Sequence, residues 1–199
     1  IKILGETGEY DIVITEIGGT VGDIESLPFV EAIRQMIWEM GSNCCVIHLT
    51  LLPYLNVTGE LKTKPTQHSV KTMLEYGVQP DILVCRSEKS IGADLRRKIA
   101  LFCNVNVNAV IEAVDASSIY EVPLHMLKEQ LDKVVLNKLK LSFRQEPDLT
   151  VWKAFLGKLK HPVSEVKIGL IGKYIELKDA YKSIAEAFIH AGVANECKL

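Results

Sequence analysis

Charge of one sign is the first thing this chain lacks. Its 23 Lys and Arg nearly balance 25 Asp and Glu, for a formal net charge of −2. No global field therefore draws in nucleic acid or an anionic membrane, and any anion site has to be local. Aromatic residues are sparse at 7%. No uncharged apolar run approaches the roughly 18 residues of a membrane helix, and the N-terminus lacks the layout of a signal peptide. The five cysteines, Cys44, Cys45, Cys85, Cys103 and Cys197, show no C-x-x-C spacing. Three of them lie in apolar runs, which reads as structural thiols in a reduced, cytoplasmic compartment. His48, His68, His125, His161 and His190 have no metal-ligand spacing, and no cysteine sits in a G-x-C-x-G elbow, so neither zinc nor a covalent nucleophile has a candidate. A phosphate-cradling G-x-x-x-x-G-K-[ST] is missing too. The "GLIGKY" at 169–174 is too short and continues with Tyr174.

What is present is an ordinary core-forming composition, 48% hydrophobic and 24% charged over 199 residues. That length suits one sizeable domain, or one domain and part of another. The chain opens at "IKILGETGEYD" without an initiator Met and reads as a piece of something longer. The β-branched run "YDIVITEI" (10–17) predicts a buried parallel strand. Ser26 is placed to cap a helix whose apolar positions Phe29, Ile33, Met36, Ile37 and Met40 recur at helical spacing until Gly41. "CCVIHLTLL", "PDILVCRS" and "NAVIEAV" predict further strands, separated by helices carrying Val70, Met73 and Leu74 and then "ADLRRKIALFC". Strands alternating with helices specify an α/β protein, a parallel sheet with helices on both faces and right-handed crossovers. Residues 142–163, with their prolines and mixed charge, read as a linker. "VKIGLIGKY" then predicts a new first strand, and "LKDAYKSIAEAFIHAG" a helix opening a second α/β domain.

Ligands of such sheets sit beyond the carboxyl ends of the strands. In "TEIGGTVGDIES", Glu16 ends a predicted strand as a Mg²⁺-holding carboxylate would, the glycines admit close backbone approach, and Asp23 and Glu25 add acids. A tight turn with solvated acids fits the same residues. In "GELKTKPTQHSVK", Lys62 and Lys64 are point charges suited to phosphate, Thr63 and Thr66 carry hydroxyls, and Gln67 offers a donor and an acceptor. Thr66 or Gln67 falls at the start of a helix, where free N–H groups favour an anion. A solvent-facing basic loop is the plainer alternative. Arg96, Arg97 and Lys98 form a third basic group, either a solvated helix face or a source of one more cation for that anion. His48, inside an apolar strand, reads as a hydrogen-bonded core residue.

Taken together, "EIGGTVGDIESLPFVEAIRQM", "GELKTKPTQHSVK", "GVQPDILVCRS", "KIALFCNV" and "HPVSEVKIGLIGKYIELKDAYKSI" resemble CTP synthase, in order and spacing, across essentially the whole chain. The resemblance implies a P-loop-type amidoligase fold like that of dethiobiotin synthetase in 1–141, a linker over 142–163, and the start of a class I glutamine amidotransferase domain in 164–199. It implies ATP-dependent amination of UTP to CTP with ammonia from glutamine, in a cytoplasmic homotetramer whose triphosphate site lies near a subunit interface, with GTP as activator. By motif, Glu16 corresponds to a Mg²⁺ ligand, and Asp23, Ile24 and Glu25 to a CTP-contacting segment. Lys62, Thr63, Lys64, Pro65, Thr66, Gln67 and Lys98 correspond to the residues holding UTP and CTP. Val114, Asp115 and Ala116 correspond to the ATP adenine segment, with Val114 standing where a lysine is frequent. The P-loop is expected before Ile1 and the glutaminase Cys-His-Glu triad after Leu199, so these residues alone are expected to be inactive. A non-catalytic UTP/CTP-binding regulatory or assembly subunit is the rival reading. Another amidoligase, of the dethiobiotin- or cobyric-acid-synthetase type, would share the fold without the Lys-Thr-Lys-Pro-Thr-Gln loop.

Overall fold

A computed structural model describes residues 1–199, apart from the side chain of Lys178. It divides into two units, Ile1–Phe143 and Arg144–Leu199. In the first, a short helix α1 (Lys2–Glu6) precedes α2 (Leu27–Met40), and strand β1 (Ile47–Leu52) leads to a small hairpin of β2 (Tyr54–Leu55) and β3 (Glu60–Leu61). Then follow α3 (Lys64–Glu75), β4 (Ile82–Ser87), α4 (Ala93–Cys103), β5 (Val110–Val114), α5 (Val122–Lys128) and α6 (Leu131–Lys138).

β1, β4 and β5 form a parallel sheet in the order β1-β4-β5, each neighbouring pair joined through a crossover helix. Strand alternation sends side chains to two faces. Leu52, Leu83, Cys85 and Val110 pack with Val70 of α3 and Ile99, Ala100 and Cys103 of α4. Ile82, Val84 and Ile111 turn the other way, onto Met126, Leu131, Val134 and Val135 of α5 and α6. The completely buried Leu83 and Ile99 each contribute about 1.5–3 kcal/mol through removal from water. α2 joins the first layer by setting Val30, Ile33 and Ile37 against Met73 and Val78. α3 stops where Gly77 takes φ +77°, a conformation that costs a side-chain-bearing residue roughly 1–2 kcal/mol.

The α/β architecture agrees with the alternation read from the sequence, but two predicted strands do not form. Tyr10–Ile17 runs unpaired, with Ile14 91% exposed. A β-branched run becomes a strand only when it finds a ladder and cover on both faces. Here the Ile47, Leu49 and Leu51 face of β1 lies exposed, so a strand laid beside β1 would be bare on that side. The Ser26 hydroxyl also departs from expectation: it donates back to the Asp23 carbonyl at 2.8 Å and does not cap α2.

In the second unit, α7 (Thr150–Lys160) and α8 (Lys182–Ala194) pack together, Phe155 lying 5.3 Å from the His190 ring between centroids. The strand expected over 166–174 does not form. Pairing is confined to β6 (Ser164–Glu165) beside β7 (Cys197–Lys198), in parallel, while Ile168, Leu170 and Ile171 remain exposed for want of a neighbouring ladder.

Candidate functional site

The register aligns the carboxyl ends of the sheet. Leu52 of β1 pairs with Ser87 of β4, and Ser87 with Val114 of β5, so three strands end in one row. The segments leaving that row bring together most of the chemistry singled out in the sequence.

From Leu52 the chain makes the β2–β3 hairpin, and the Lys62 amide returns to the Pro53 carbonyl at 2.9 Å, folding the basic loop back over the end of β1. Helix α3 opens at Lys64, two or three residues ahead of the expected start at Thr66 or Gln67, with Thr63 as N-cap and Pro65 in the first turn, where its missing N–H costs nothing. The loop's side chains divide into two kinds. Lys64 and Pro65 are exposed and Lys62 half-buried, whereas Thr63 and Thr66 are buried. The Thr66 hydroxyl, on a residue 1% exposed, lies 3.1 Å from both the Leu51 carbonyl and the Thr50 hydroxyl. Gln67 donates its amide to the Thr63 hydroxyl at 3.0 Å. Thr66 is therefore a bolt between helix and sheet, while Lys64 is left to solvent at the first turn of α3.

The basic triplet on α4 is sorted by its partners. Arg96 bonds the Val110 carbonyl and pairs with Glu129 at 2.8 Å, and Glu129 in turn accepts from the Glu112 amide at 2.9 Å. Arg97 pairs with Asp94 on its own helix. Lys98 joins no ion pair among the described residues, and its charge is felt at Glu60, beside Lys62.

At the end of β5, the Asp115 amide bonds the Ser87 carbonyl at 3.0 Å and its carboxylate takes the Arg86 guanidinium at 2.8 Å. Val114 and Ala116 flank it, half-buried. Two cations passed over in the sequence stand at this edge: Arg86, and Lys89, whose ammonium lies 5.7 Å from the Tyr54 ring centre. Their signal was position, one closing a buried strand and the other opening the next loop.

The acidic turn is not brought to this row. Ile24–Ser26 forms a single 3-10 turn with Ile24 exposed. Gly22, at φ +104°, is set so that a Cβ there would stand 3.5 Å from Thr72 of α3. Thr72 is eight residues beyond Lys64, roughly 12 Å along the helix at 1.5 Å per residue. Asp23, Ile24 and Glu25 thus lie toward the far end of α3 from the lysines. Glu16 is exposed on the unpaired segment, and no group of three or more His, Cys, Asp or Glu side chains converges among the described residues. One hard oxygen donor fits a magnesium ion held mainly by substrate phosphates and water.

Two thiols and the core histidine lie elsewhere in the sheet layers. Burial pushes the Cys45 and Cys103 thiols up to about 11, with the Asp81 charge adding to the effect at Cys45. His48 bonds Ser69 Oγ at 2.8 Å, and burial lowers its pKa. No helix of the described residues is long and apolar enough to cross a membrane.

A family model described as CTP synthase N-terminus matches residues 1–141. The CTP synthase of Cytophaga hutchinsonii is 69% identical over 200 aligned positions, covering 100% of this chain and 37% of its own length. That of Flavobacterium psychrophilum is 62% identical, with coverage of 100% and 37%. That of Methanocaldococcus jannaschii is 59% identical, with 100% and 36%. The chain spans little more than a third of these relatives. A family model over the whole parallel sheet and high identity from end to end establish that the chain belongs to the CTP synthase family.

Proposed function

We propose that this chain supplies the pyrimidine-nucleotide-holding edge of a cytoplasmic, glutamine-dependent CTP synthase, an ATP-dependent carbon–nitrogen ligase of pyrimidine biosynthesis. Residues 1–141 are assigned to the amidoligase, 142–163 to the linker and 164–199 to the start of the glutaminase. The reaction moves the ATP γ-phosphoryl group to O4 of UTP, ammonia released from glutamine adds at C4, and phosphate departs to leave CTP. GTP acts as activator. One observation carries the reading most directly: the Lys62–Gln67 loop leaves the carboxyl end of a parallel strand and opens α3 with its lysines outward and its threonines inward.

In this reading Lys62, Lys64 and Lys98, with the first amides of α3, take the triphosphate of UTP and of the CTP that competes with it. Compact ammonium groups and fixed N–H dipoles stabilise phosphate charge without reorganisation. Thr63, Thr66 and Gln67 hold the loop in shape, and Pro65 sets the first turn. Asp115 and its neighbours Val114 and Ala116 serve the ATP side through backbone groups. Glu16 would help nucleotide phosphates to hold a magnesium ion, which would supply charge neutralisation. Because Asp23, Ile24 and Glu25 lie toward the other end of α3, one chain does not close both segments round a single nucleotide. That separation supports a homotetramer in which neighbouring copies complete the site.

The test is a UTP and CTP titration on the full-length protein with and without Lys64→Ala. Losing a phosphate-directed lysine is expected to cost about 1–3 kcal/mol for both nucleotides. Unchanged affinity for both would remove the loop from the site.

A further inference from the structure

Glu60 closes the β2–β3 hairpin two residues before Lys62, and its carboxylate pairs with the Lys62 ammonium. It also feels the charge of Lys98, which arrives from α4. These contacts, the Lys62 hydrogen bond foremost, hold the Glu60 carboxyl below the usual carboxylate range. Two cations from separate elements, both assigned above to the triphosphate, therefore already face an anion, and that anion belongs to the chain itself.

We infer that Glu60 is a resident competitor for the triphosphate: it occupies Lys62 in the free site, and an incoming polyphosphate takes Lys62 from it. The inference rests on the reading of the loop as a triphosphate site. The pair is weak enough to yield, since both side chains reach solvent, Lys62 being 38% and Glu60 55% exposed. A ligand with three phosphates brings more charge to Lys62 and Lys98 than one carboxylate does. Once displaced, Glu60 stays tethered two residues away and repels the bound phosphates, which lowers affinity for every polyanion. Glu60 thus keeps the loop ordered when empty and sets how readily bound nucleotide leaves.

The experiment titrates inorganic tripolyphosphate and UTP into the full-length protein carrying Glu60→Gln, Glu60→Ala, Lys62→Ala, Lys64→Ala or Glu60→Gln with Lys62→Ala. Both Glu60 variants are expected to bind tripolyphosphate about three- to tenfold more tightly at low salt, as expected for loss of one nearby like charge. The gain shrinks as salt screens the exposed charges, and in the Lys62→Ala background it drops to the part due to repulsion alone, since there is no longer a lysine to compete for. Equal or weaker tripolyphosphate binding by both Glu60 variants overturns the inference. If the lysine variants weaken binding while the Glu60 variants give no gain, only the competitor role falls. If neither Lys62→Ala nor Lys64→Ala changes binding of either ligand, the loop reading falls and takes this inference with it.

Discussion

Thr66 shows at the scale of one residue how the candidate site is held. Its hydroxyl is buried against the Leu51 carbonyl and the Thr50 hydroxyl. Thr66→Val keeps the volume but removes the buried hydroxyl from the Leu51 carbonyl and the Thr50 hydroxyl, at an expected cost of about 1–3 kcal/mol in urea unfolding, while Thr66→Ser recovers most of the loss. His48 makes a pH prediction. Burial lowers its folded pKa, so below the ordinary value of about 6.5 the unfolded chain binds a proton that the folded chain refuses. Stability falls as pH drops through that value toward the folded pKa. His48→Gln is expected to flatten the decline in melting temperature between pH 7 and pH 5. The Cys45 and Cys103 thiols, raised to about 11, are expected to resist iodoacetamide at pH 8 in the native protein and to react on unfolding.

Elements are joined away from the candidate site by a few polar ties. Asp81, at the start of β4, accepts the Val46 amide at 2.9 Å and pairs with Lys138 of α6 at 2.5 Å, so one carboxylate fastens the neighbouring strand and the helix covering the other face. Arg96 and Glu129 do the same for α4, β5 and the end of α5, and both are mostly buried. Glu129→Ala strands the Arg96 charge and frees the Glu112 amide, with an expected loss of about 2–4 kcal/mol by chemical denaturation. Asp81→Ala is expected to cost less, about 1–3 kcal/mol, because Lys138 can turn to water. Helical periodicity could place Arg96, Arg97 and Lys98 on one helix. It could not say that two of the three are bound elsewhere, since Glu129 lies 33 residues from Arg96 in sequence.

Across the molecule, stability is concentrated in the sheet. β4 is paired on both edges and covered on both faces, so its amides are expected to exchange most slowly, with those of Ile12–Ile17 and Ile168–Ile171 among the fastest. The two strands that failed to form carry the same β-branched, apolar signature as those that did. Composition reports a capacity to pair, and pairing itself depends on a neighbour's edge and on cover for both faces.

The order of strands and helices, the basic loop at a helix start and the resemblance to one family were all legible in the chain, because they rest on local spacing and residue type. The structure alone decided that Thr66 is spent inside, that Lys98 is the cation of its triplet free of an ion pair among the described residues, that Glu60 holds Lys62, and that the acidic turn lies toward the other end of α3. Those outcomes are set by which distant side chains meet, and in a parallel sheet whose connections cross over helices, neighbours in space are tens of residues apart in sequence.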